Sequence, residues 1–181
     1  MGFKLRMSAG TDPEGFPHHE NFYTSLVACG ILRARVQMNA FADLRIWWTE
    51  ETEKDEPDGD WSELVTLDFR LQVLQKWPIS GLFHDIRLES DTALVVVETK
   101  VDAELDEEQV GPVFRCLSDL KDTRTRAYLL MAPGGYGGRK FHPGTLSKFY
   151  KAAEDGVRAG FVNLALATNW AGELLGLHQL V

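Results

Sequence analysis

The segment Ala93–Val101, read Ala-Leu-Val-Val-Val-Glu-Thr-Lys-Val, constrains this chain more than any other. Its run of β-branched residues suits a strand, and the lack of apolar–polar alternation implies cover on both faces. Such a strand belongs at the centre of a sheet with helices on either side. Yet it carries two charges. Glu98 and Lys100 are two positions apart, so a pleated backbone puts both on one face, with Cα atoms about 6.6 Å apart. Charge in a covered strand costs on the order of several kcal/mol unless it is paired or bound to metal.

Upstream, Leu82–Leu88 alternates, with Leu82, Ile86 and Leu88 on one face and Phe83, Asp85 and Arg87 on the other. Glu89–Thr92 reads as a turn; if the two segments pair as a hairpin around it, Asp85 faces the same cleft as Glu98. Two carboxylates about 4 Å apart repel by about 4 kcal/mol at an effective dielectric near 20. Protonation, the Lys100 ammonium or a divalent cation relieves that repulsion. Hard oxygen ligands suit Mg²⁺ or Mn²⁺, which take one or two carboxylates and keep several waters. A cation held there can activate water against a phosphodiester, with Lys100 orienting the nucleophile or offsetting developing charge.

The remaining pattern predicts an α/β chain. A helix starts near Pro17, with an apolar face of Phe22, Tyr23, Leu26, Val27, Cys29 and Ile31. Ala40–Thr49 reads as a strand, Glu50–Asp60 as an acidic loop, and Ser62–Trp77 fits strand or helix. Asp106–Leu120 reads as a helix with Gly111-Pro112 in its first turn. Ala127–Met131 reads as a buried strand, residues 133–144 as a loop, Thr145–Arg158 as a helix and Phe161–Ala167 as a last strand. Residues 1–16 read as a flexible arm and 17–181 as one domain: a mixed central sheet flanked by helices.

Asp85, a turn, and then Val-Val-Val-Glu-Thr-Lys ending in Glu-x-Lys resemble the PD-(D/E)XK nuclease superfamily, the restriction-endonuclease-like fold. The resemblance covers residues 81–131 well and 17–32 weakly. It implies that Asp85 and Glu98 are metal ligands and that Lys100 is the catalytic lysine. It further implies that Gln109, on the following helix, is a supporting residue and that Glu20 is an extra carboxylate from the first helix. Two positions depart from the pattern: His84 stands where Pro precedes the aspartate, and Val113 stands where Gln-x-x-x-Tyr places tyrosine. The resemblance implies Mg²⁺- or Mn²⁺-dependent hydrolysis of DNA, endonucleolytic, with a homodimer as a means of cutting both strands. A catalytically inactive binding or assembly module on the same fold is the alternative.

From the residues alone, plainer readings stay open. Glu98 and Lys100 also fit a strand-end salt bridge, Asp85 a turn-proximal acid, and Glu20 a first-turn acid favoured by the helix dipole. His18 and His19 are adjacent and point apart, which is poor zinc geometry. His84, His142 and His178 are isolated in the sequence. Residues 134–140, GGYGGRK, lack the ending of a phosphate-binding loop, although Tyr136, Arg139 and Lys140 could contact a nucleic-acid backbone or base. Trp47 and Trp48 read as core and flank.

A net charge of −8 argues against a nonspecific nucleic-acid coat and leaves a local site free to act on DNA. Cys29 and Cys116 read as buried, reduced thiols, which suits the cytoplasm. No apolar run approaches the roughly 20 residues of a membrane helix, so no membrane contact is expected.

Overall fold

The structure, a computed structural model, describes residues 20–37, 40–48, 59–65, 68–76, 82–101, 105, 107–133 and 145–177. Its main element is a mixed five-stranded sheet in the order β3-β4-β5-β6-β7. These strands are Arg70–Lys76, Phe83–Glu89, Ala93–Thr99, Thr125–Ala132 and Val157–Asn163. The first three are mutually antiparallel, and β5, β6 and β7 run parallel. β5 is the middle strand and is buried at every position, as its unbroken apolar run requires.

Helices cover both faces. On one, α1 (Glu20–Ala34) and α4 (Leu164–Leu175) pack over Ile86, Leu88, Val95, Val97, Ala127 and Leu129. Gly30 permits their close approach, because a Cβ there would lie 2.6 Å from the Ala171 Cβ. On the other, α2 (Glu107–Ser118) and α3 (Thr145–Lys151) cover Leu94, Val96, Tyr128 and Leu130. There the rings of Phe114, Tyr128 and Phe149 meet at centroid separations of 4.9–5.3 Å, each pair adding about 0.5–1.5 kcal/mol beyond area burial. Both crossovers between parallel strands, β5-α2-β6 and β6-α3-β7, place their helices on this face.

Several sequence expectations fail for physical reasons. Ala40–Thr49 is not one strand: Ala40–Asp43 is a 3-10 turn, Arg45–Ile46 (β1) pairs with β2, Gly59–Asp60, and Trp47 forms a single antiparallel bridge to Phe161 on β7. The acidic loop therefore ends in a paired strand. Within Ser62–Trp77 the 3-10 turn Trp61–Glu63 precedes β3, so the ambiguity resolves as strand. Pro112 lies in the second turn of α2, one turn later than expected.

The last two expected elements shift. The helix expected over Thr145–Arg158 ends at Lys151, and the chain turns through Gly156, whose φ of 78° few other residues adopt. The strand expected at Phe161–Ala167 runs instead over Val157–Asn163. Asn163 ends it by capping α4: its side-chain oxygen accepts from the Ala165 and Leu166 amides. Cys29 is exposed and Cys116 half-buried, both free, because the core side of α1 is Thr24, Val27, Ala28, Ile31 and Ala34. Trp47 is buried and Trp48 half-buried beneath the Arg158 guanidinium, 3.7 Å from its ring. Among the described residues no helix is long and apolar enough to cross a membrane.

Candidate active site

Three neighbouring elements bring the expected residues together where β5 ends. The β4–β5 hairpin supplies Asp85 and Glu98, Lys100 follows β5, α1 contributes Glu20 from its first turn and α2 contributes Gln109. Parity places Asp85, Glu98 and Lys100 on the side of the sheet that α2 covers. Glu98 is 3% exposed, and Asp85 and Lys100 9% each, so none of these charges is solvated as a surface group would be.

The Lys100 ammonium lies 2.9 Å from Glu98 Oε1 and 3.8 Å from Glu20 Oε2. Gln109 Nε2 donates to the other Glu98 oxygen at 3.4 Å. Asp85 Oδ2 accepts the Thr99 amide at 2.6 Å, and Glu20 Oε1 accepts the Val101 amide at 3.2 Å. The Lys100 amide donates to the Met131 carbonyl at 2.9 Å, tying the end of β5 to β6.

Two residues absent from the sequence reading hold this end of the strand. Thr24 donates to the Thr99 hydroxyl at 2.9 Å, both residues being fully buried. Thr24 stands four positions after Glu20, so one side of α1 supplies both contacts to the strand. That i, i+4 spacing is a visible signal, but only once the helix is known to dock here.

The electrostatics follow from burial. Three carboxylates face one ammonium, leaving two negative charges uncompensated when all are ionised. Burial raises the Glu98 carboxyl, and the Asp85 charge adds to it, so it is pushed up to about 7. Burial also raises Asp85, against the pull of the Thr99 amide and Lys100. Burial opposes the charge on Lys100, but Glu98, Glu20 and Asp85 outweigh it, and its pKa rises. Near neutrality the cluster therefore retains acidity that a proton or a cation can relieve.

As a metal site, the donor set is hard oxygen, the kind that Mg²⁺ and Mn²⁺ prefer. Among the described residues no three His, Cys, Asp or Glu side chains converge as a ligand group. A cation would therefore rest on Asp85 and Glu98 and fill its remaining positions with water, as Mg²⁺ commonly does. In donor chemistry, hard carboxylate oxygen, Asp85 and Glu98 suit such an ion, and both Glu98 oxygens are already engaged, by Lys100 and Gln109.

Other candidates fall elsewhere. His84 is buried with neither ring nitrogen hydrogen-bonded among the described residues, and burial, then Arg87, lowers its pKa to about 4. It alternates away from Asp85 on β4. His18, His19, Tyr136, Arg139, Lys140, His142 and His178 lie outside the described residues, as do the N-terminal arm and residues 50–58. Comparison with protein-family models, curated proteins and solved structures finds no match.

Proposed function

We propose that this protein is a metal-dependent nuclease of the restriction-endonuclease-like type, hydrolysing phosphodiester bonds in DNA and cutting within the strand. One observation carries the reading: Asp85, Glu98 and Lys100 meet at the end of the central strand in a buried cluster with unrelieved negative charge. A charge-poor core has no need of such a cluster for stability. Perturbed, converging ionisable groups are a common mark of a working site.

In this reading Asp85 and Glu98 hold Mg²⁺ or Mn²⁺. The bound cation supplies Lewis acidity toward the scissile phosphate. Lys100 is anchored by Glu98 and Glu20, so its ammonium is aimed before substrate arrives. It orients the attacking water and offsets charge that grows on the phosphoryl oxygens. Gln109 fixes the Glu98 carboxylate from the α2 side. Glu20 pins the strand end through the Val101 amide. Tyr136, Arg139 and Lys140 are proposed DNA contacts, and a homodimer would place one such centre on each strand.

The test is cleavage of supercoiled plasmid and of single-stranded DNA with Mg²⁺ or Mn²⁺, and with EDTA as control. The parent should cut only with metal, and Glu98→Ala and Lys100→Ala should lose cutting while staying folded by circular dichroism. Either variant cutting as well as the parent refutes the site.

A second reading has its own support. Lys100 already pairs with Glu98 and Glu20, so the cluster is partly neutralised without metal. The protein would then be an inactive binding or assembly module of the same architecture. Calorimetric titration with Mn²⁺ separates the two, since this module gives no heat of binding.

A further inference from the structure

We infer that Leu74, on the edge strand β3, is a positioning residue that sets the Asp85 carboxylate through its backbone conformation. The β4–β5 ladder runs from Glu89↔Leu94 through Ile86↔Val97 and stops there. Ser90 donates to the Ala93 carbonyl, so hydrogen-bonded rungs recur at every second pair, and the next would join His84 and Thr99. That rung is not formed. The Thr99 amide goes instead to Asp85 Oδ2 at 2.6 Å. Thus β4 leaves β5 at Asp85, and the aspartate side chain fills the gap.

On its other side β4 keeps its partner. β3 pairs with it at Val73↔Ile86 and again at Gln75↔His84, in unchanged register, while Leu74 and Asp85 between them are unpaired. Leu74 has a φ of 51°, the one non-glycine residue with positive φ among the described residues. A left-handed leucine within a strand is strained, because its Cβ crowds the backbone. Such strain persists only where surrounding structure enforces it, and it gathers at functional sites. Among the described residues, Leu71 and Val73 pack on a core, whereas Leu74, half-buried, is not among the apolar groups on either. The kink lets β3 follow β4 through its bend without slipping register. Asp85 is thereby held off β5 with its carboxylate aimed across the strand end. As a statement about catalysis, this rests on the nuclease reading above; as a statement about geometry it does not.

The experiment compares Leu74→Gly and Leu74→Val in the full chain. Glycine adopts φ near 50° freely, while β-branched valine resists it. Backbone amide exchange by NMR reads the Thr99 amide against the Val97 and Leu129 amides as internal controls. In Leu74→Val the Thr99 amide should exchange about tenfold faster or more relative to the controls, since it loses a hydrogen bond to a charged acceptor. Leu74→Gly should keep Thr99 as protected as the parent does. In the cleavage assay, Leu74→Val should lower kcat by as much as about a hundredfold, the cost of a small misplacement, with KM for DNA unchanged. Uniformly faster exchange at all three amides in Leu74→Val means a merely structural role and overturns the inference. Loss of Thr99 protection in Leu74→Gly also overturns it, since the side chain would then be the cause. If the parent cuts no DNA, the nuclease reading falls, while the Thr99 amide still decides the role of Leu74.

Discussion

Replacing Glu98 by Gln should make the difference in stability between variant and parent depend on pH in one direction. The Glu98 carboxyl moves from an ordinary 4.5 to about 7 on folding. Between those values the folded protein keeps a proton that the unfolded chain has released, so parent stability falls as pH rises through the window. Above pH 7 the full cost, about 3 kcal/mol, is present. Glutamine has nearly the same shape and never ionises, so the variant escapes this cost. Any packing penalty of the amide is the same at every pH. His84 works in the opposite sense, since its pKa falls from 6.5 to about 4. Its contribution is lost as pH drops through that range, and it is common to both proteins. In the parent the two effects oppose each other between pH 5 and 6.5. Urea unfolding at pH 5, 6, 7 and 8 in EDTA measures both curves. The variant should gain about 2.5 kcal/mol on the parent from pH 5 to pH 8, since part of the cost is already present at pH 5, or roughly 5–10 °C in Tm for a chain of this size. Parallel curves would show that Glu98 is not held protonated by burial and would refute the electrostatic account of the site.

Two further predictions concern the scaffold. Thr24→Val leaves the buried Thr99 hydroxyl without its donor and should cost about 1–3 kcal/mol in chemical denaturation. The double variant with Thr99→Val should cost less than the sum of the single changes, and strict additivity would mean that the two hydroxyls do not interact. Asn163→Ala removes the cap of α4 and should lower stability by about 1 kcal/mol in thermal melts, without altering metal-dependent cleavage.

The central strand was legible in advance because its signal is local. Three consecutive valines require cover on both sides whatever covers them, and period-2 geometry sets Glu98 and Lys100 on one face. The hairpin followed from a short turn between two apolar runs, and it brought Asp85 to Glu98. The C-terminal third is illegible for an equally physical reason. Phe161–Ala167 is apolar throughout, so composition does not mark where a strand becomes a helix; the Asn163 side chain decides it by capping the first amides of α4. Cys29 lies on an apolar stripe of α1, but the helix turns a neighbouring stripe inward, against α4 and the sheet.

The sequence by itself determined a central strand with a glutamate and a lysine on one face, and a partner aspartate one hairpin earlier. Tertiary structure alone decided that Glu20, 80 positions before Lys100, reaches its ammonium. It also decided that Thr99 gives its amide to Asp85 rather than to the ladder, and that Leu74 takes a left-handed turn opposite. Those outcomes depend on which elements pack together and how far water is excluded between them. Burial of that kind sets both the charge balance and the strand geometry, and short-range residue spacing does not encode it.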